Sequence, residues 1–460
     1  MTRHFEARDV AWLALAMALA GALFWISSRY FPDQLGYDMY HPWGIAAVRS
    51  DVPRPADPYA DTGRYAEAMS AFARASKSPK AWLAENFWHD RTAAHIEPTG
   101  TPLYYALLSV LPADYDRAHL CVALVQFACT ALALVLLLRL AGIAALPALC
   151  VAFVVELTYN PFIQDVKMAN ANSPQLAAFA LLVHASARGA LERHRVMDRL
   201  FLPALALLVA IKPNIAWIAA LLAAHYLVKR GWKHTLQGAL LALPVVAAGI
   251  ALGAWYFGSL GAWTDWLHYI RAGSLLYSLD GGNQSVAMLM AEKTGGYDVY
   301  TYSLLLMSVV ALACIVALTQ SGQRPDLLVR GAREALADPW FAASLGVAVT
   351  CATAPLVWPH YFLLNLIPIT WLVARRGRTR VDIGCGVASF LMQAKPVIVF
   401  LGLFHWTGLI SSMMAFTWAP LLPPLLVHLA RTREALAAQS SPWSNESATR
   451  PSPAPSDPMR

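Results

Sequence analysis

RAHLCVALVQFACTALALVLLL, residues 117–138, decides the class of this protein. Arg117 at its edge is the only Asp, Glu, Lys or Arg in the run. About 20 apolar residues cross the hydrocarbon core of a bilayer. A helix of a soluble solenoid would alternate polar and apolar faces, whereas this run is apolar all round. The pattern recurs along the 460 residues, 58% of which are hydrophobic and 14% charged. An average soluble domain is roughly 25% charged. The expected fold is therefore an all-α polytopic membrane protein with twelve spans. They are 10–28, 117–138, 144–159, 173–187, 199–212, 213–228, 235–257, 301–319, 339–357, 361–374, 381–403 and 408–430.

The formal charge of +7 reports topology, not a nucleic-acid partner. Its carriers cluster in short loops: Arg188 to Arg199, Lys229 to Lys233, Arg324 to Arg333, Arg375 to Arg380, and Arg431 with Arg433. Twelve crossings that begin inside put every one of these clusters on the cytoplasmic face, as the positive-inside rule expects. Both termini are then cytoplasmic. The first span, after Arg3 and Arg8, continues past Ala20 to Ile26 and suits an uncleaved anchor of a bacterial inner membrane. The six cysteines lie in apolar spans without ligand-like spacing, so neither a disulfide framework nor a metal site is indicated.

Two large segments fall outside, at about 29–117 and 258–300, within a membrane domain of residues 1–436. Thr101–Leu111 is too short to span and reads as a helix along the membrane surface. The Ser/Pro-rich tail at 437–460 reads as disordered.

Function is expected in the outer loops. Asp38, just beyond the first span, can be a base toward an acceptor hydroxyl, or an acidic cap or a loop residue bonding Tyr37 or Tyr40; the residue alone leaves these open. Lys212, at the junction of two short spans, can neutralise a phosphodiester or snorkel from a helix end. Asn283, Gln284 and Ser285 suit hydrogen bonding to a sugar or phosphate, and equally a plain turn. His360 can bind phosphate or pair with a carbonyl. Asp114-Tyr115-Asp116 spells a metal-binding triplet, yet it opens a helix, where acids are favoured anyway. Glu156 and Lys395, both inside spans, would be expensive facing lipid.

In their order and placement these features resemble glycosyltransferase family 87. The stretches that carry the likeness are Asp38 with Ala46-Ala47, Asp57-Pro58-Tyr59, Pro102-Leu103-Tyr104 before Leu111-Pro112, Lys212-Pro213, Gly282-Asn283-Gln284-Ser285, and Ala354 to Tyr361. Where a Tyr-Pro-Pro-like segment is usual, this chain reads Glu97-Pro98-Thr99-Gly100-Thr101-Pro102, a departure that bears on the acceptor. The resemblance implies a GT-C membrane enzyme that moves a sugar, mannose above all, from a polyprenyl-phosphate donor to an extracytoplasmic glycan or glycolipid, with inversion and without a cofactor. It makes Asp38 the catalytic base, with Lys212, Asn283, Gln284, Ser285 and His360 at the donor. Tyr40, Asp57, Tyr59 and Glu97 are acceptor-side or structural candidates. The rivals are a transporter or flippase of lipid-linked glycans, which predicts inverted repeats, and an O-antigen ligase or polymerase, which predicts loop arginines.

Overall fold

The structure, a computed structural model, describes residues 7–30, 34–54, 57–91, 96, 98–273, 283–294, 299–319, 325–375, 377–406, 413 and 416–439. Among these residues every regular element is a helix, and one isolated antiparallel bridge joins Tyr159 to Ala394. α1 (Ala7–Tyr30) leads into α2 (Tyr37–Ala47), α3 (Thr62–Ala75), α4 (Pro79–Arg91) and α5 (Pro102–Leu108). Next come α6 (Tyr115–Leu140), α7 (Ala145–Thr158), α8 (Asn160–Met168), α9 (Asn172–Ala187), α10 (Ala190–Arg193), α11 (Arg195–Ile211), α12 (Ala216–Phe257) and α13 (Gly261–Gly273). The remainder is α14 (Val286–Thr294), α15 (Val299–Thr319), α16 (Pro325–Leu336), α17 (Pro339–Thr353), α18 (Leu366–Ala374), α19 (Arg380–Met392), α20 (Lys395–Leu403) and α21 (Leu422–Gln439).

Local chemistry sets the helix starts. The Asp114 carboxylate accepts from Arg117 N at 2.9 Å and caps α6, so the acidic triplet serves as a helix cap. Asp338 caps α17 through Trp340 N at 3.0 Å, with Pro339 in the first turn. Thr379 and Asp382 form a reciprocal capping box on α19.

Among the described residues four helices are long and apolar enough to cross a membrane: Arg8–Arg29, Tyr115–Leu140, Trp232–Phe257 and Val299–Val316. A fifth crossing arises if Val329–Leu336 and Pro339–Thr353, bent by 101°, form one span. Large apolar side chains on these helices, including Phe24, Leu124, Leu243 and Leu312, face outward. Such a surface suits lipid and not water.

Among the described residues the other expected spans are shorter or broken, and part of the span at 408–430 lies outside the described residues. α7 has 14 residues, a rise of about 21 Å against the ~30 Å of a hydrocarbon core. The run at 361–374 opens as a 3-10 turn over Pro359–Asn365 before α18. The run at 381–403 divides between α19 and α20, where Asn160 N donates to Gln393 O at 2.9 Å and Ala394 pairs with Tyr159. Lys395 is therefore not in the middle of a continuous span: it is the exposed first residue of α20. Glu156 is buried in α7. Gly231, at φ 78° and ψ 168°, breaks α12 at the basic cluster expected to be a loop. α21 runs past Ala437 to Gln439, so the expected tail starts inside this helix, and residues 440–460 lie outside the described set.

The main apolar core joins α6, α7, α8, α9, α11, the first half of α12, α17, α18 and α21. A second cluster packs α2, α3, α4 and α5 against the start of α6 and the end of α12. α5 packs into the protein. It buries Pro102, Leu103, Tyr105 and Ala106, and its chain comes so close to α12 that a Cβ on Gly253 would sit 3.0 Å from Leu103 N.

α17 and α12 approach still more tightly. A Cβ on Gly346 would stand 2.6 Å from Ile218 Cα, a backbone atom that cannot swing away. Gly346→Ala should lower stability by about 1–3 kcal/mol, the usual cost of overpacking. Gly384→Ala, on an exposed helical position with nothing within 4 Å, should be neutral or slightly stabilising. Thermal unfolding of both variants in detergent checks the contrast.

Candidate active site

The second cluster ends where Asp38 begins. Gly36 sits in the left-handed region at φ 63°, and its carbonyl accepts from Met39 N and Tyr40 N, each at 2.9 Å, which starts α2. A side chain there would also meet His119 Cδ2 and the Tyr115 hydroxyl at 2.9 Å. Tyr115 Oη donates to Leu35 O at 2.6 Å, and Gly36 N to Lys167 O at 3.2 Å. These contacts lock the first turn of α2, which carries Asp38, beside the α8–α9 connection.

That connection is polar and tightly held. Ala169 ends α8 at φ 54° and ψ 46°, an unusual conformation for a residue with a Cβ. Asn170 N closes the turn onto Asp165 O at 3.0 Å. The fully buried Asp165 carboxylate accepts from Ser173 Oγ at 2.6 Å, Ser173 N at 3.0 Å, Asn172 Nδ2 at 2.9 Å and Gln126 Nε2 at 3.2 Å. Gln126 Nε2 also donates to the carbonyls of Asp165 and Asn170, each at 2.7 Å.

Asn170 joins two of the expected site residues. Its Nδ2 donates to Asp38 Oδ2 at 3.0 Å, and its Oδ1 accepts from the Lys212 ammonium. Lys212 follows α11 with an extended backbone because Pro213 cannot continue the helix. Thr101 Oγ1 donates to Ile211 O at 3.0 Å and ties this junction to α5. The ammonium lies 5.1 Å from the centre of the Tyr361 ring.

His360 arrives from the 3-10 turn after Pro359. It is 3% exposed, and its Nε2 stands 3.6 Å from Asp38 Oδ2, beyond hydrogen-bond reach. No other partner meets that nitrogen among the described residues. Burial holds the imidazole neutral, well below its usual titration range, and the Lys212 charge adds to this. Burial also pushes the Asp38 carboxyl up to about 6; the Asn170 hydrogen bond and Lys212 pull down, and Asp165 pushes up. The result is a carboxylate, a cation and a neutral imidazole with one nitrogen to offer, brought together from distant parts of the chain.

Of the turn at 283–285, two side chains are committed to backbone. Asn283 donates from Nδ2 to Pro355 O at 3.0 Å and accepts from Val357 N at 2.9 Å. Ser285 Oγ donates to Pro355 O at 2.9 Å and accepts from Met288 N at 3.0 Å. Gln284 N donates to Val357 O at 2.7 Å. The turn thus clamps the stretch leading to His360.

The acceptor-side candidates hold the outer cluster together. Tyr40 Oη donates to Glu85 Oε2 at 2.9 Å. Asp57 Oδ1 caps its own turn through Tyr59 N at 3.0 Å and Ala60 N at 2.9 Å, and Tyr59 Oη donates to Gly100 O at 2.7 Å. Glu97 lies outside the described residues.

Asn170, Asp165 and Gln126 were not among the expected site residues. A signal was present: Gln164, Asp165, Lys167, Asn170 and Asn172 crowd between the short runs 144–159 and 173–187, on the face that the topology assigns to Asp38. No family model, curated protein or solved structure matches the chain.

Proposed function

We propose that the protein is an inverting glycosyltransferase of the GT-C type, similar to family 87, which spans the bacterial inner membrane about twelve times with both termini cytoplasmic. It moves a hexose or pentose, mannose first among them, from a polyprenyl-phosphate donor to a hydroxyl of an extracytoplasmic glycan or glycolipid. The observation that carries this reading is the meeting of Asp38, Lys212 and His360 around Asn170.

In the proposed reaction the acceptor oxygen attacks the anomeric carbon while its proton passes to Asp38. The bond from that carbon to the phosphate oxygen breaks, and the electron pair leaves with the polyprenyl phosphate. One displacement inverts the anomeric centre. The phosphate gains negative charge as it departs, so a fixed ammonium stabilises the transition state more than the ground state. Lys212 supplies that charge, and His360 Nε2 can donate a hydrogen bond to phosphate in its Nε2–H tautomer. With this ammonium and this hydrogen-bond donor in place, the proposed reaction needs no divalent ion.

In proteoliposomes, transfer should need a lipid donor such as a short-chain polyprenyl-phosphate mannose, and should persist in EDTA. A membrane glycolipid extract serves as acceptor, with the product read by mass spectrometry. Efficient transfer from a nucleotide sugar without a lipid intermediate would overturn the proposal. The helix breaks at Lys212-Pro213 and Pro359–Asn365 also favour a second reading, a transporter of lipid-linked glycans. That reading expects translocation of the intact lipid with no new glycosidic bond.

A further inference from the structure

Asn170 deepens the glycosyl-transfer reading and rests on it. We infer that Asn170 is the positioning residue of the proton transfer: its amide, oriented by Lys212, holds Oδ2 of Asp38 and leaves Oδ1 to take the acceptor's proton.

Donor and acceptor chemistry fixes the amide's orientation. Asn170 Oδ1 receives the Lys212 ammonium and, at 2.8 Å, the backbone N–H of Ala171. Both groups can only donate, so the oxygen must face them and Nδ2 must face Asp38. Asn172 Nδ2 approaches the same oxygen at 3.4 Å. The turn itself cannot drift, because Gln126 grips the carbonyls of Asp165 and Asn170 from α6 while the Asp165 carboxylate holds Ser173 and Asn172. Asn170 can therefore serve Asp38 only as a donor, and a donor prefers the ionised carboxylate.

On Asp38 the partners fall on one oxygen. Oδ2 takes the Asn170 hydrogen bond and faces His360 at 3.6 Å, and no hydrogen bond reaches Oδ1 among the described residues. A base needs one lone pair unclaimed at the moment of transfer, together with a fixed direction. The amide meets both needs. It also carries the influence of Lys212 to the base while keeping the ammonium itself available for phosphate.

Every element packed against α2 bears on how Asp38 titrates. The α8–α9 segment presents Asp165 and Asn170, the α11 junction Lys212, α5 the Tyr104 phenol, and the 3-10 turn His360 and Tyr361. From α4, Glu85 is directed to Tyr40, and α3 contributes Tyr65 and Met69 to the shared core. Asn170 is the one that hydrogen-bonds the carboxylate.

The test reads Asp38 itself as well as turnover. Full-length protein in lipid vesicles is titrated by infrared difference spectroscopy, and the protonated carboxyl band of Asp38 is identified by its loss in Asp38→Asn. The wild-type midpoint is expected near 6. Asn170→Ala should raise it by about one unit or more, the size expected of a hydrogen bond to a charged group. Asn170→Asp, close in shape but unable to donate when ionised, should raise it further, with Asp38→Asn/Asn170→Asp as its blank. The acidic limb of the kcat/KM profile for polyprenyl-phosphate mannose should move by the same amount. If one variant does not accumulate, the other decides. An unchanged or lowered midpoint would overturn the role of Asn170, whereas shifted midpoints in the variants, with a wild type that transfers no sugar, would uphold the placement and reject the reaction.

Discussion

Asp38→Asn should insert and accumulate normally while kcat falls by about 10²–10⁴-fold, the usual contribution of a general base. The substitution keeps the shape of the side chain and leaves an oxygen able to accept from Asn170 Nδ2. What it removes is the carboxylate basicity that takes the acceptor's proton in the proposed reaction. Stability should move the other way. The Asp38 carboxyl rises from 3.8 to about 6 in the folded protein, so between those values the folded state binds more protons than the unfolded one. Stability therefore declines as pH rises through that window and remains lower above it. The Asp38 side chain is 29% exposed, so at neutral pH the burden of this half-buried carboxylate is at most about 3 kcal/mol. Asp38→Asn should consequently melt at or above the wild-type temperature at pH 7.5, with the difference gone near pH 4. A variant that melted lower at pH 7.5, or kept wild-type turnover, would remove Asp38 from the role of base.

Lys212→Ala should lose rate and donor affinity together, with kcat falling by roughly 10²–10³-fold. In the proposed reaction the donor phosphodiester carries about one negative charge and the departing phosphate monoester more, so the effect on kcat should exceed the effect on KM. Lys212→Arg should rescue poorly, because a planar fork cannot replace a compact ammonium set against both the Asn170 oxygen and the Tyr361 ring. Steady-state kinetics over donor concentration checks this. A raised KM with unchanged kcat would limit Lys212 to ground-state binding. No effect on either would return it to a lysine snorkelling from a helix end.

Composition alone determined that α1, α6, the second half of α12 and α15 are long apolar helices. Lipid cannot hydrogen-bond a backbone, so a run of that length has few other ways to satisfy its N–H and C=O groups. The basic clusters give an expected side for each junction, and the proposed topology groups Asp38, the 160–172 stretch, Lys212 and His360 on one face.

Tertiary structure decided the rest. Hydropathy counts apolar residues but does not see where a helix gives way to another partner. The run at 381–403 therefore read as one span, although Gln393 and Ala394 pair with Asn160 and Tyr159 instead. The same blindness applies to polar side chains. Asn283, Ser285, Asp57 and Tyr59 looked available in sequence, yet each is occupied by a nearby backbone group. Asn170, which no motif singles out, bridges Asp38 and Lys212. A hydrogen bond acts over about 3 Å between groups that can lie anywhere along the chain. The sequence could name the chemical types, but only the packing of α2, α5, α8 and α11 could decide which of those groups meet.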